Sequence, residues 1–345
     1  MNRPAVVVLG WTEGHQRTAA LAAALGVEPA FMPWARHGRG GRRLVTGWLR
    51  SAVRTVALVR SAAPDAVVVV QAPPVFAPLV AVAARRRGQR VVVDAHSGAF
   101  NDDRWAWSHG LQRRVLAHCD LLVVTNEALV ADAALPAGLP VAVAHDVLER
   151  KVPAGDAGPV ADRATRTVVF PASGMPDEPL DAVRGAAARL AADGFEVVVT
   201  GRQRALGAGP GLRPSGWLEQ REYEELLRSS VCVLALTTRE DTMQRAAYEA
   251  LERDLPVVCS DTRALREAFG GSAEYAPPTA AGIADAVLRA EARRAEMVAL
   301  GRGTFHRMTG TTERTLDAVR DLVGRRPRTT PPAPRAAEPV KGSAR

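Results

Sequence analysis

Two carboxylates bracket seven residues in Asp241-Thr-Met-Gln-Arg-Ala-Ala-Tyr-Glu249, and they carry the clearest chemistry in this chain. An apolar run, Val231–Leu236, precedes them, and Leu-Pro-Val-Val-Cys-Ser260 follows. The pattern predicts strand, loop, helix, strand, with Asp241 in the loop and Glu249 inside the helix. A helix entered this way opens its N-terminus past the end of a strand, where free backbone N–H groups and the helix dipole hold a phosphate through Thr242, Met243 and Gln244. Glu249 lies a little deeper, at a distance that suits the two hydroxyls of a ribose. An acidic pair on a helix is equally compatible with a plain solvated face, so the neighbouring motifs have to decide.

Parallel strands deliver ligands at their carboxyl ends, so the residues just past each apolar run come next. In Val-Val-Val-Asp94-Ala-His96-Ser97-Gly98 a histidine stands two residues beyond a strand. Glu196-Val-Val-Val-Thr-Gly201-Arg202 ends another strand with a glycine and a permanent cation. Arginine's planar fork suits phosphate oxygens, and Arg204 is a second cation nearby. Gly216-Trp217-Leu218 follows an irregular Gly/Pro loop and precedes a helix over Arg221–Ser229. Trp217 fits either a ligand contact or core packing. His15 and Arg17 lie in the loop after the first strand, beyond Gly10.

The framework that must hold these residues is read from apolar runs of four to six residues. Ala5–Leu9, Ala66–Gln71, Arg90–Asp94, Leu121–Thr125 and Val141–Ala144 form one series. Thr167–Phe170, Glu196–Thr200, Val231–Leu236, Pro256–Ser260 and Ala273–Tyr275 form a second. Continuous Val-rich runs predict strands covered on both faces, and helical segments between them make the sheets parallel. The expected fold class is therefore α/β, two Rossmann-like doubly wound domains: 1–150, a Pro/Gly linker over 151–166, and 167–324. From Arg325 to Arg345 the composition of Pro, Arg, Thr and Ala without periodicity predicts a disordered tail.

With 345 residues and 47% hydrophobic composition the chain can bury two substantial cores. Its basic residues are almost all arginine, with Lys151 and Lys341 the exceptions, which suggests a GC-rich bacterial genome rather than a nucleic-acid binder. Residues 1–150 hold 17 Arg/Lys against 11 Asp/Glu, whereas 151–324 hold 22 against 25. A positive excess confined to the first half and the tail suits an anionic membrane surface or a lipid carrier, or serves solubility alone. Over Arg42–Arg60, Leu44, Val45, Trp48, Leu49, Ala52, Val53, Val56 and Val59 recur at helical spacing among arginines. That helix either packs on the sheet or lies in a membrane interface. Cys119, Cys232 and Cys259 show no paired spacing and read as buried free thiols of a reducing compartment. The start of the chain enters a strand too early for a signal peptide, and no apolar run reaches the roughly 20 residues of a membrane span. The expected location is the cytoplasm, with peripheral association at the inner membrane face open.

The Asp241–Glu249 unit resembles the donor site of the GT-B glycosyltransferases, above all glycosyltransferase family 4. There the pattern is Glu, seven residues, Glu, then Ala-Met-Ala-x-Gly-x-Pro-Val; here Glu249-Ala-Leu-Glu-Arg-Asp-Leu-Pro-Val-Val keeps the second acid and the strand. The first acid is shortened to Asp241, and the glycine-rich turn has become Thr242-Met243-Gln244. Val-Gln71-Ala-Pro73-Pro74, Val93-Asp94-Ala-His96-Ser97, Gly10 with Arg17, and Met175-Pro176-Asp177-Glu178-Pro179 are similar, in that family's order along the chain, to segments of the chitobiosyl-diphosphodolichol β-mannosyltransferases. The resemblance spans about residues 5–265. It implies that 1–150 is the acceptor-side domain, with Gly10, His15 and Arg17 as acceptor-side candidates, and 167–324 the nucleotide-sugar-binding domain. It also implies that His96 faces the donor sugar, that Glu249 holds the ribose, that Arg202 meets the diphosphate, that Gly174 lies on the donor side and that Trp217-Leu218 borders the base. Most family 4 enzymes add a lysine in the preceding loop; this chain has Ser173-Gly174-Met175 there.

The resemblance implies a glycosyltransferase moving a sugar, a hexosyl group above all, from a nucleotide-diphosphate donor to a hydroxyl acceptor, with a polyprenyl-linked glycan at the membrane face favoured. His96 and Asp241 are the catalytic candidates, and Asp94, Glu13 and Asp102 could each serve as base if the reaction inverts. The alternatives are a non-catalytic nucleotide-sugar-binding partner subunit and a nucleotide-sugar epimerase of the same fold. Asp102-Asp103 sits in an Asn/Asp loop rather than at a strand end, no His/Cys cluster has metal spacing, and neither a phosphate-binding lysine loop nor Gly-x-Gly-x-x-Gly follows the first strand. No metal and no cofactor is expected beyond the nucleotide-sugar co-substrate.

Overall fold

The computed structural model describes residues 3–32, 42–71, 74–132, 134–151, 166–201 and 206–323. The chain divides into two compact units, one of Met1–Val124, Asp132–Ala142 and the chain from Thr315, the other of Thr125–Ala131 and Val143–Arg314. The expected linker lies outside the described residues except for its two ends, and the expected tail lies outside them entirely.

The first half of the chain runs β1 (Val6–Gly10), α1 (Gln16–Ala24), β2 (Ala30–Phe31), α2 (Arg42–Ser61), β3 (Val67–Gln71), α3 (Phe76–Ala84) and β4 (Arg90–Ala95). Three short helices follow, α4 (Gly98–Asn101), α5 (Asp103–Ala106) and α6 (His109–Leu116), then β5 (Leu121–Val124), α7 (Glu127–Asp132) and β6 (Val141–Val143). The strands lie in the order β2-β1-β3-β4-β5-β6 with parallel register. Val67–Val70 and Val91–Val93 are buried, and burial on both faces is why these strands lack polar alternation. Gly10, Gln71 and Asp94 stand abreast on neighbouring strands, so their following loops share one edge.

The second half begins with β7 (Arg166–Pro171), α8 (Leu180–Leu190), β8 (Phe195–Thr200), β9 (Leu212–Gly216), α9 (Gln220–Arg228) and β10 (Cys232–Ala235). It ends with α10 (Arg245–Glu252), β11 (Val257–Ser260), α11 (Arg263–Phe269), β12 (Ala273–Ala276), α12 (Ala280–Ala292) and α13 (Arg294–Arg320). The order is β12-β11-β10-β7-β8-β9, again parallel, with Pro171, Thr200 and Gly216 abreast. Its core interleaves Val168, Val197, Val199 and Leu234 from the sheet with Val183, Ala186, Leu190, Ile283 and Val287 from α8 and α12.

All ten apolar runs read as strands are strands, to within one residue at either end. Two strands have no such run. β2 has only two residues, and β9 is Leu-Arg-Pro-Ser-Gly, not the irregular loop expected there. β9 is an edge strand, where Pro214 costs no ladder hydrogen bond that an inner strand would need. Helix starts are closed by side chains: Thr262 caps α11, Thr279 caps α12, and Glu219 with Glu222 forms a reciprocal box on α9. The three cysteines are free and buried, and burial pushes the Cys119 and Cys232 thiols up to about 12.

Candidate functional site

In each sheet the first strand is flanked by strands reached in opposite directions, β1 by β2 and β3, β7 by β10 and β8. The loops leaving the carboxyl ends at such a point diverge and open a crevice. The candidate residues of each unit gather at these edges.

In the first unit α1 starts at His15, whose Nδ1 accepts from the Thr18 backbone N–H at 3.4 Å and lies 3.3 Å from its hydroxyl. That contact leaves the proton of a neutral ring on Nε2. The His96 ring, just past β4, meets the His15 ring edge to face with centroids 4.7 Å apart. Both imidazoles are half-buried. Behind them Arg17 donates to Asp94, Nη2 to Oδ1 at 2.8 Å and Nε to both oxygens at 3.2 Å. Both side chains of this pair are buried. Burial alone would raise the Asp94 carboxyl, but Arg17, then His96 and His15, hold it below its ordinary value. Arg17 therefore braces the loop from beneath, and Gly10 is buried at the strand end. Of the carboxylates weighed as a base, Asp94 is committed to Arg17, and Asp102 caps α5 and takes Arg104 at 2.6 Å. Glu13 is exposed. A cavity of about 310 Å³ between α4, α6 and residues 134–135 is lined by neither histidine.

In the second unit Glu249 sits inside α10, the second acid where the spacing places it. The Tyr223 hydroxyl donates to its Oε2 at 2.5 Å and Arg245 Nε to its Oε1 at 3.4 Å. Each oxygen keeps a further lone pair for a ligand hydroxyl. Burial, reinforced by the Glu249 charge, pushes the Tyr223 phenol far up, so it stays a donor. Arg245 is also shared by Asp146 at 3.1 Å and Glu252 at 3.4 Å, and is a braced structural cation. Gln244 takes the N-cap position of α10 without capping it through its side chain, and of the first-turn N–H groups that of Ala247 turns back to the Gln244 carbonyl at 3.1 Å. Met243 packs against the core, and Thr242 is half-buried. Asp241 is buried, 3.8 Å from Arg263 Nη2, and Asn126 Nδ2 donates to its carbonyl at 3.1 Å.

The turn after β7 is built around Asp177 and Glu178. Asp177 accepts from the Thr237 hydroxyl at 2.6 Å and, through its carbonyl, from the Thr238 N–H at 2.8 Å, tying this turn to the loop after β10. Glu178 accepts from the N–H groups of Ser173 and Gly174 at 2.6 and 3.0 Å, and from the Ser173 hydroxyl at 2.6 Å. This turn binds a carboxylate with the kind of amide nest that holds phosphates elsewhere. Gly174 and Gly201 have φ of 81° and 91°. At Gly201 a Cβ would also strike the Ala172 carbonyl, so no other residue fits. Arg202 and Arg204 lie outside the described residues. Trp217 is 70% exposed and Leu218 half-buried, directly after the left-handed Gly216.

No protein-family model matches the chain, and no curated protein matches it in sequence. Solved structures do match. The UDP-forming α,α-trehalose-phosphate synthase of Burkholderia xenovorans has a TM-score of 0.65 at 13% identity, over 92% of this chain and 99% of that one. A glycosyltransferase from Rickettsia africae has a TM-score of 0.69 at 9% identity, over 93% and 99%. Anabaena HepE, solved with UDP and glucose, has a TM-score of 0.68 at 12% identity, over 92% and 99%. The chain has the GT-B fold. Each of its parallel six-stranded sheets with covering helices supplies one Rossmann-like half of it.

Reading the sequence alone misses Tyr223, Arg263, Asn126 and the donors gathered by Glu178. Tyr223 reaches Glu249 across 26 residues and Asn126 reaches Asp241 across 115, with no local spacing to mark either. The Asp177-Glu178 pair stands inside a segment already singled out, and the role of Asp177 follows only from its contact with the loop after β10.

Proposed function

We propose that this GT-B protein is a glycosyltransferase that moves a sugar, a hexosyl group foremost, from a nucleotide-diphosphate donor to a hydroxyl acceptor. The observation that carries the reading is Glu249, buried enough to be fixed by one donor on each oxygen and set behind the uncapped N-terminus of α10. In this reading Glu249 accepts the two ribose hydroxyls. The first-turn N–H groups, with Arg202 and Arg263, stabilise the departing diphosphate, the main electrostatic task of the reaction. Preorganised cations and a helix dipole perform that task without a metal. Trp217, exposed beside Gly216, lies against the base, and His96 with His15 hydrogen-bonds sugar hydroxyls. UDP-sugars are the first donors to test, because UDP is named for two of the similar structures.

The acceptor we propose is a lipid-linked or polysaccharide precursor at the cytoplasmic membrane face, supported by the basic first half of the chain and by its motif-level likeness to lipid-linked mannosyltransferases. No helix among the described residues is long and apolar enough to cross a membrane. The test is donor hydrolysis and UDP binding by calorimetry, with Glu249→Ala as the variant. Losing a carboxylate with two hydroxyl hydrogen bonds costs about 1.5–3 kcal/mol, so UDP affinity should fall at least about tenfold in a folded variant. Unchanged binding would remove the basis of the reading, and turnover abolished by EDTA and restored by magnesium would refute its metal independence.

A further inference from the structure

Helix α2 buries Val59 and half-buries Trp48, Ala52 and Val56, yet turns a second apolar stripe outward. Its line of Gly47, Ser51 and Thr55 is buried, while Val45, Leu49 and Val53 are 57, 61 and 71% exposed. The buried line is held by polar contacts. Trp11 Nε1 donates to the Thr55 hydroxyl at 2.9 Å, and the Ser51 hydroxyl to the Gly47 carbonyl at 2.9 Å. Val45, Leu49 and Val53 recur every fourth residue, so they form one continuous stripe along a convex surface. Beside it runs a second exposed row with Arg50 and Arg54. The stripe continues through aromatic contacts: Trp48 meets Phe76 at 4.6 Å, and Phe76 meets Trp107, itself 68% exposed, at 6.2 Å. Between Glu28 and Asp65 the sequence holds seven arginines and no acid.

Folding this chain gains nothing from turning three large aliphatic side chains outward, and contiguous exposed apolar surface marks an interaction face. The chemistry selects the partner. An acid-free basic flank fits an anionic surface, arginine stems lie along apolar groups while their heads reach phosphates, and tryptophan settles at the boundary. We propose that α2 lies in the surface of an anionic phospholipid bilayer, with Val45, Leu49 and Val53 immersed at headgroup level, Arg50 and Arg54 on lipid phosphates, and Trp107 at the margin. This deepens the membrane-face part of the proposed function and rests on none of its catalytic part.

The experiment is flotation of the full chain with vesicles of phosphatidylcholine containing phosphatidylglycerol, against pure phosphatidylcholine, at low and high salt. Wild type should float with the anionic vesicles, less so at high salt. Leu49→Glu/Val53→Glu should lose flotation at both salt levels. Arg50→Gln/Arg54→Gln should weaken partitioning about tenfold or more at low salt and flatten the salt dependence. All variants should bind UDP like wild type, since the substituted positions are already exposed. Wild type that never floats, or Leu49→Glu/Val53→Glu that floats unchanged, overturns the proposal. So does a concentration-dependent dimer abolished by Leu49→Glu/Val53→Glu without vesicle binding, which would make a second copy the partner. A chain that floats as expected but does not bind UDP would count against the catalytic reading and leave this one standing.

Discussion

The turn closing α10 and the outer face of α2 break the same rule in opposite senses. At the first, Glu252, Arg253 and Asp254 are consecutive charged residues, all buried. At the second, three aliphatic residues face outward. The buried charges are answered inside the chain: Arg253 by Glu224 at 2.5 Å and Glu252 at 3.3 Å, Asp254 by Arg150 at 2.6 Å and Arg302 at 2.9 Å. Glu252 also accepts from the Glu149 N–H at 3.3 Å. A buried ion survives only with such partners. The network grips α10 from behind and so fixes Glu249, one turn earlier. A fold accounts for its own buried charges, whereas an outward apolar stripe is a debt to something outside the described residues.

Arg253→Met leaves Glu224 and Glu252 short of their buried counter-charge, which should cost about 3–5 kcal/mol and lower the melting temperature by about 10 °C. Leu49→Ser and Val53→Ser should each stay within about 0.5 kcal/mol of wild type. Thermal unfolding of the three variants checks both halves. If the serine variants destabilise as much as Arg253→Met, α2 is packed against something in the folded chain and the contrast fails.

Arg17–Asp94 extends the comparison to the first unit, with pH as the lever. The folded carboxyl is held below its ordinary value of 3.8, so its contribution is fully present above about pH 5 and is lost as pH falls through the folded value. Asp94→Asn takes the carboxylate charge away from the buried Arg17, for a loss of about 3–5 kcal/mol near neutrality. The gap between variant and wild type should be constant above about pH 5 and narrow in the acid range. A gap that does not narrow there would mean the carboxylate charge is not what the pair supplies.

Tyr223 gives the next smaller effect. Tyr223→Phe removes one of the two donors on Glu249, a change of about 1 kcal/mol, so UDP affinity should fall about fivefold. In turnover KM should rise with kcat nearly unchanged, because the contact acts on ground state and transition state alike. Calorimetry showing full affinity would mean that Arg245 alone positions the carboxylate.

These residues also show where the sequence stops being readable. Strands such as Val67–Gln71 announce themselves because burial on both faces demands uninterrupted valine, and the Asp241–Glu249 spacing carries its loop and helix with it. β9 is hidden because Pro214 reads as a breaker and is harmless only at an edge, a position no local pattern encodes. The apolar residues of α2 occupy two adjacent stripes, and periodicity cannot say which one the sheet will take. Contacts such as Tyr223–Glu249 and Asp177–Thr237 depend on which strands become neighbours, so they follow from topology rather than spacing.

Asp254 supplies the smallest and sharpest test. Where the family 4 pattern has glycine, this chain holds a non-glycine residue at φ 53°. The left-handed region costs an ordinary residue about 1–2 kcal/mol, less for Asp or Asn, whose short polar side chains bond locally. Its two arginines are partly exposed, so each ion pair is worth about 1 kcal/mol or less. Asp254→Gly thus loses both pairs but sheds the backbone cost, and should fall within about 1 kcal/mol of wild type. Asp254→Ala loses the same pairs and keeps the cost, and should be less stable than the glycine variant by about 1 kcal/mol. Asp254→Asn retains the backbone tolerance and an acceptor oxygen for the arginines, and belongs nearest wild type. Equal stability of the glycine and alanine variants would show that the ion pairs alone govern this turn, and that the glycine of the pattern is replaced here at no conformational cost.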